Sequence, residues 1–514
     1  MNHRIPFLGF GLCVACSGLL FACPAVLDDR CANHVCDLMD SDADAQAPEC
    51  DPVTDSLHCM TTGVFVDSVG GQDTNDGTQS SPVKTVAKAL ALAKSQSKPS
   101  VFLCKGSYGA VTLNTASTAA TSLYGGFDCS TWAYDQSNKT LIASLDSTPA
   151  LRITGFADSI VISDLSFESK DANNPGDSSI AIFIANSQDV TLRRVTATAG
   201  AGAAGTNPGA PPTNLVTKSA AAAVDATGAG PTECDCTNGS KSIGGVGGNG
   251  GNNPMSGQPG SSNPSVGESG WGTGGAAYKA GPPPTTCGPG NTGANASLGG
   301  SGGAGAASWG TLDADGWHPA DGNPGTAGNP GQGGGGGGGG QSTTGGGGGS
   351  GACGGCGGAG GFGGGGGGAS IAVASYMSTV TITGGSFTSS AGGVGGKGGD
   401  GEVGGSGPAG GDVVAGDDGA GCKGGSGGNG AGGGGGGGGA GGLSVSILWL
   451  GGTMTRDPST LVMMGAGGTQ GMLGNPGGGG KNSSGQGPSG IANASDGCVG
   501  ISQTMLDLTP DGGS

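Results

Sequence analysis

LRITGFADSIVISDLSF, residues 151–167, and IFIANSQDVTLRRVTA, residues 182–197, decide the fold. In the first, Leu151 and Ile153 share one side, as do Ile160 and Ile162, then Leu165 and Phe167. Period-two alternation in three short runs broken by bends predicts three half-buried strands. Ile182, Ile184, Val190, Leu192, Val195 and Ala197 repeat the spacing. Ile371, Val373, Val380, Ile382 and Phe387 repeat it again, with Gly385 in the place of Leu165. A chain that turns three corners per repeat and stacks on itself is an all-β parallel β-helix, each turn covering the apolar layer of the one before.

Glycine dominates the remainder. Of 514 residues, 124 are Gly and 4% are aromatic, against about 7% Gly in ordinary chains, so much of the sequence is of low complexity. The formal charge is −18 and no basic patch occurs. Nucleic acid is therefore disfavoured as a partner, because holding phosphates needs clustered Lys and Arg.

Residues 1–22 read as an export signal: Arg4, an apolar run from Ile5 to Phe21, then Leu20-Phe21-Ala22-Cys23, which resembles a lipoprotein cleavage box with Cys23 as the lipid acceptor. A plain signal peptide is the other reading. Sixteen cysteines fit an oxidising compartment. Loss of Cys13 and Cys16 with the signal and of Cys23 to lipid leaves thirteen, an odd number, so that one thiol is free or paired elsewhere; with Cys23 kept as a simple thiol the count is even.

Residues 23–62 form an acidic, cysteine-bearing tether in which Cys31, Cys36, Cys50 and Cys59 are disulfide candidates, their pairing open. Asp40, Asp42, Asp44 and Asp51 have the spacing of a calcium loop, but Ala45 and Pro48 break it, and a solvated acidic tether is the plainer reading. Residues 63–198 form the first part of the β-helix, with a capping helix over 82–95. Ser81 is its expected N-cap, Pro82 its first residue, and Val83, Val86, Leu90 and Ala93 its apolar face. A Gly-rich insertion covers 199–370, a further rung 371–388, a second insertion 389–442, and C-terminal rungs with a Gly-rich tail 443–514. Ordering glycine is costly, so solvated loops are the first expectation for the insertions. Packed extended polyglycine helices are the alternative, which a run such as Gly333 to Gly340 also permits.

FVDSVGGQDTNDGTQSSPVKTVAKALALA from Phe65, then VFLCKGSY and SLYGGFDCSTW, resemble the start of pectin-lyase-like right-handed β-helix proteins, especially exported ones of myxobacterial type. The Gly tracts resemble those of PE-PGRS proteins in composition, without a PE domain. The resemblance implies a right-handed coil and an exported protein. It leaves activity open, because that family spans polysaccharide lyases, glycoside hydrolases and non-enzymatic surface proteins. Cys104 and Cys129 flank one coil of this segment and are expected to bond to each other.

A lyase on this fold would need calcium-holding carboxylates and a basic residue to take a proton. Asp158, Asp164, Glu168, Asp171, Asp177 and Asp189 are available, with Arg152, Lys170, Arg193 and Arg194. Aligning Ile160 with Val190 sets Asp164 under Arg194, about 4.8 Å away. Such a pair is usually exposed and worth a few tenths of a kcal/mol. Asp164, Arg193 and Arg194 are thus a polar face, with no catalytic set apparent; calcium is a minor possibility, and no other cofactor or metal site is expected. Cys353 and Cys356 have a redox-motif spacing but read as a local disulfide or cross-link in a glycine loop. The expected protein is a non-enzymatic, exported surface or secreted β-helix protein. It would serve in adhesion, in binding polysaccharide or extracellular matrix, or in displaying Gly-rich loops, with a membrane link through the lipid anchor. A divergent polysaccharide lyase or glycoside hydrolase is the alternative.

Overall fold

The computed structural model describes residues 50–54, 60–265, 270–280, 286–413, 419–483 and 485–510. The signal segment, Cys23, Cys31, Cys36, Cys59 and most of the calcium-like spacing lie outside the described residues. The chain is mostly β, with large parallel ladders curled around one core, an arrangement that fits a parallel β-helix. One face stacks Val111–Asn114, Leu151–Thr154, Ser179–Ala185, the first halves of Ser370–Thr383 and Ser444–Arg456, and Ser502–Asp507. A second stacks Gly63–Val66, Ser100–Cys104, Ser122–Phe127, Ile160–Ser163, Val190–Arg193 and the second halves of the two long strands. A third runs from Gly106–Gly109 through Thr140–Ala143, Ser166–Glu168, Thr196–Thr198 and Ser386–Thr388 to Leu461–Met463.

Register turns the alternation into columns. Val111, Leu151, Ile182, Val373 and Ile447 lie one above another. So do Ile162, Leu192 and Ile382 on the second face, and Ile142, Phe167, Ala197 and Phe387 on the third. All are buried. Burying one such side chain contributes about 1.5–3 kcal/mol. Outside this core, Phe65, Phe102 and Tyr124 stack at centroid spacings of 5.4 and 5.3 Å.

Helix α1 spans Val86–Ser95, four residues shorter at its start than expected. Pro82 and Val83 are extended instead: the Val83 N–H donates to the Phe65 carbonyl at 3.0 Å, and the Asp67 N–H to the Val83 carbonyl at 2.9 Å. Thr85 is the N-cap, accepting from the Lys88 N–H, and is itself held by Asp73. A cap nearer the apolar run prevails because Val83 is worth more paired to the first strand. Val86, Ala89, Leu90 and Ala93 bury their side chains in the core beside Val64 and Val66.

The glycine tracts are packed, not solvated. In the run 333–340, successive N–H groups point to three different neighbours. Those of 334, 337 and 340 donate to carbonyls of 352, 349 and 346; those of 335 and 338 to 291 and 288; those of 333, 336 and 339 to 261, 258 and 255. Its carbonyls accept from 245, 248 and 251, from 425 and 422, and from 275 and 278, all these bonds being 2.8–3.1 Å long. Three residues per turn with every bond to another segment is the polyglycine form of the extended threefold helix. With six neighbours there is no direction left for a side chain: a Cβ on Gly337 would meet the carbonyl of Cys422.

The coil sets the register of this bundle. Third-face strands run straight out into it: Ala199, Gly202 and Gly205 donate to 388, 391 and 394, while Ser389, Gly392 and Gly395 donate to 463, 466 and 469. At the bundle's surface a residue other than glycine appears every third position, at Ala391, Val394, Lys397, Asp400, Val403 and Ser406, all exposed. Disulfides join distant segments: Cys234–Cys353, Cys236–Cys356 and Cys287–Cys422 each close more than 115 residues. Cys353 and Cys356 therefore cross-link the bundle to remote partners and form no local loop. Cys498 is a free thiol.

Gly337→Ala should lower stability by about 1–3 kcal/mol through overpacking, whereas Gly478→Ala, where a Cβ meets nothing within 4 Å, should be neutral or mildly stabilising. Thermal unfolding midpoints of the two variants check this; equal effects would contradict the packed bundle.

Candidate functional site

The corner after the second face gathers the polar residues singled out in the sequence. Asp164 and Arg194 hold the same position in successive turns, with φ of 59° and 54°, and Gly384 with φ of 66° lies in the next. Left-handed backbone costs a non-glycine residue about 1–2 kcal/mol. The side chains offset it. Arg194 Nε donates to Asp164 Oδ1 at 2.7 Å and Nη2 to Oδ2 at 2.8 Å, a bidentate pair. Nη2 also donates to Ser163 Oγ at 3.2 Å and to Asp51 Oδ1 at 3.0 Å. Arg193 Nε donates to Ser163 Oγ at 3.3 Å, and its Nη1 lies 3.8 Å from Asp51 Oδ2.

This is not the exposed pair the sequence suggested. The Asp164 side chain is 5% exposed, because Asp51 and the two arginines close over it. Asp51, which sequence spacing linked only to a calcium loop, is an arginine partner. Burial pushes its carboxyl up, but the Val53 N–H, the hydrogen bond from Arg194 and the charges of both arginines outweigh burial and hold it below the usual carboxylate range. Burial likewise disfavours the Arg194 charge, and Asp164 and Asp51 outweigh that too. The nearby Tyr134 hydroxyl, buried without a hydrogen-bond partner, is pushed up to about 12 by burial and by the Asp164 charge. An arginine held protonated by two carboxylates is a poor proton acceptor; the cluster is chemically a clamp.

The other candidates are dispersed. Lys170 pairs with Glu168 at 3.3 Å, Asp171 accepts from the Ala201 N–H, and Asp177 accepts from Asn174. Cys104 and Cys129 are bonded to each other, and Cys50 is disulfide-bonded. Among the described residues, the one grouping close enough to hold a metal is Asp67 with Cys104 and Cys129, and the disulfide occupies both sulfurs.

A second site lies on the outer side of the first face, where sequence reasoning placed nothing. Gly310–Leu312 and Trp317–Pro319 form a hairpin inside the first glycine insertion. Leu312 and Trp317 pack on Ile180, Phe183, Ile371 and Val445, a second core outside the coil. At the turn, Asp313 accepts from the N–H groups of Asp315 and Gly316 and meets His318 Nε2 at 3.1 Å. The Asp315 N–H first, and then His318, hold its carboxyl below the usual range against slight burial. Arg152 lies 4.5 Å over the Phe183 ring and donates to the Ala314 and Asp315 carbonyls at 3.0 and 3.1 Å, tying the turn to the coil. Between them is a cleft of about 290 Å³, with Arg152, Asp177, Phe183, Asp315, Trp317 and His318 in its lining. The local signal was legible: Asp313-Ala-Asp-Gly316 between two tryptophan-bearing runs is a turn flanked by strands in an otherwise featureless tract.

Residues 69–117 match a family described as a protein of unknown function (DUF1565), which is associated with parallel β-helix proteins. That stretch contains α1 and the strands leading into the first complete turn. No curated protein and no solved structure matches the chain.

Arg194→Ala should cost about 3 kcal/mol by stranding the buried Asp164, and Asp51→Asn, at the more exposed partner, under about 1 kcal/mol. Because the folded pKa of Asp51 is lowered, its contribution is complete above the free-carboxyl value of 3.8 and disappears as the pH falls through the lower folded value. The gap in thermal midpoint between wild type and D51N should be constant near neutrality and close in that acid window. A gap that widens in acid would contradict the ion-pair account.

Proposed function

We propose that the chain is a non-enzymatic exported scaffold: a right-handed parallel β-helix, capped by α1, that carries a rigid polyglycine bundle at the cell exterior and presents surfaces for glycan or matrix contact. The observation that carries this reading is the continuity of hydrogen bonding from the third-face strands into the bundle, as from Ala199 to Gly205 over 388–394. It makes coil and glycine tracts one stiff body. Disulfides closing more than 115 residues suit the periplasm or the extracellular space. Among the described residues no helix is long and apolar enough to cross a membrane. Attachment would fall to Cys23 as lipid acceptor, through the tether that Asp51 fastens to the corner. The myxobacterial and PE-PGRS likenesses agree with a surface role and supply no chemistry.

The test is incubation of the chain from Pro24 with acidic and neutral polysaccharides, with and without calcium. Retention of polymer without new unsaturated or reducing ends is the expected result. Product release that vanishes in an R193A/R194A double variant would replace the scaffold with a lyase or hydrolase. For the anchor, metabolic labelling with palmitate should mark the wild type and not Cys23→Ala; equal labelling would remove Cys23 from the account.

A further inference from the structure

The outer surface of the third face changes character at its last turn. The column Ser166, Thr196, Ser386 ends on Leu461, and the column Glu168, Thr198, Thr388 ends on Met463. Both side chains point away from the core, on either side of Val462, which packs against it. They are 64% and 54% exposed, and Met464, next in the chain, is 47% exposed. Apolar side chains grouped in positions that earlier turns fill with Ser, Thr and Glu mark a contact surface. Backbone edges are open at the same place. Among the described residues, Leu461–Met463 is paired only with Ser386–Thr388, Ser502–Asp507 only with Ser444–Arg456, and the second half of that long strand only with Ser370–Thr383. Such edges invite another strand.

The shape of this end selects the partner. Each turn lays down the first, second and third faces in order, so each face lies about a third of a strand spacing, about 1.6 Å, beyond the one before. The second face therefore ends lowest, the third one step higher, and the first, with Ser502–Asp507, higher again. A twofold axis across the middle of the third face lays the high first face of each copy over the low second face of the other and leaves the same gap on all three. The other end of the coil has no matching step: residues 77–83 occupy the edge of Gly63–Val66, the Gly77 carbonyl accepting from the Phe65 N–H at 2.9 Å and the Phe65 carbonyl from the Val83 N–H at 3.0 Å. Charge agrees. The chain carries −18 in all, whereas 461–464 carries none, so copies that repel elsewhere can meet here. We infer that two copies of this chain pair end to end through the step, strand 461–463 running antiparallel to its twin. Val462 then meets Val462 across the axis and extends the core column, while Leu461 of each copy lies beside Met463 of the other as a cross-strand apolar pair. The contact is isologous and closed. It is independent of any glycan contact, and it sets the two polyglycine bundles at opposite corners.

Gel filtration with light scattering on the chain from Pro24 tests this. At about 100 μM, well above a micromolar dissociation constant, the wild type should have twice the monomer mass. L461K/M463K changes two exposed positions, sets Lys against Lys across the axis and should weaken the dimer by at least about tenfold. L461K/M463E sets Lys against Glu, because antiparallel pairing puts 461 opposite 463, and should keep it. If the Lys variants fold poorly, hydrogen exchange of the wild type decides. Amides of 461–463 and 502–507 should be better protected at about 100 μM than at about 1 μM, and those of 111–114 equally at both. The inference is overturned by a wild type that stays monomeric, by an oligomer that L461K/M463K leaves intact, by equal loss in both variants, or by exchange that does not change with concentration. Protection of 461–463 that arises only on addition of a different protein would give the edge to a foreign strand and overturn the self-pairing.

Discussion

Hydrogen bonding between neighbouring stretches of backbone is the constraint on which this structure depends. In the coil it joins Ile160–Ser163 to Val190–Arg193 and that strand to the one above, and the side chains left over form the core. In the bundle the same kind of bond joins Gly334 to Ala352 and Gly245 to Gly334, but no side chains are left over. Ordering one residue costs about 1–2 kcal/mol of backbone entropy, and a hydrogen bond returns a net of about 0.5–1.5. A single glycine helix is therefore unstable alone. It persists where each residue both donates and accepts, where close approach adds dispersion contacts, and where the coil and three disulfides have already brought the segments together.

The coil fixes the starting register of each excursion, since Thr198, Thr388 and Met463 leave the third face directly above one another. The bundle in turn folds the hairpin at 310–319 back onto the outer face of the coil, where Leu312 and Trp317 complete a second core. The cleft exists only at this junction. Neither the coil nor the glycine tract would form it alone, because Arg152 and Asp177 come from one and Asp315 and Trp317 from the other. The corner clamp is a similar device on a smaller scale: a tolerated left-handed arginine and two carboxylates, one of them Asp51, hold one another in place.

Much of the coil was legible because one face of each strand must be apolar, and the register of Ile160 with Val190 follows from matching those faces. The start of α1 was not, since Pro82 is compatible with both a helix and an extended strand and only pairing with Phe65 decides between them. The burial of Asp164 is not legible in the sequence, because Asp51 is distant along the chain and carries no mark of its destination. The glycine tracts do carry a signal of their packing: from Ala391 to Ser406 a side chain recurs every third residue, the period of the threefold helix, even though strict collagen periodicity is missing.

By itself, then, the sequence determined the strand pattern, the stacking of like residues, the acidic and cysteine-bearing character of the chain and its glycine periodicity, all of which are local or repeat at short range. Only the tertiary structure decided that the glycines pack, which cysteines meet across more than a hundred residues, that Asp51 reaches Arg194, and that a tryptophan in a glycine desert walls a cleft on the coil. Those outcomes depend on which segments become neighbours, and a glycine, having no side chain, writes nothing in the sequence about the neighbour it will have.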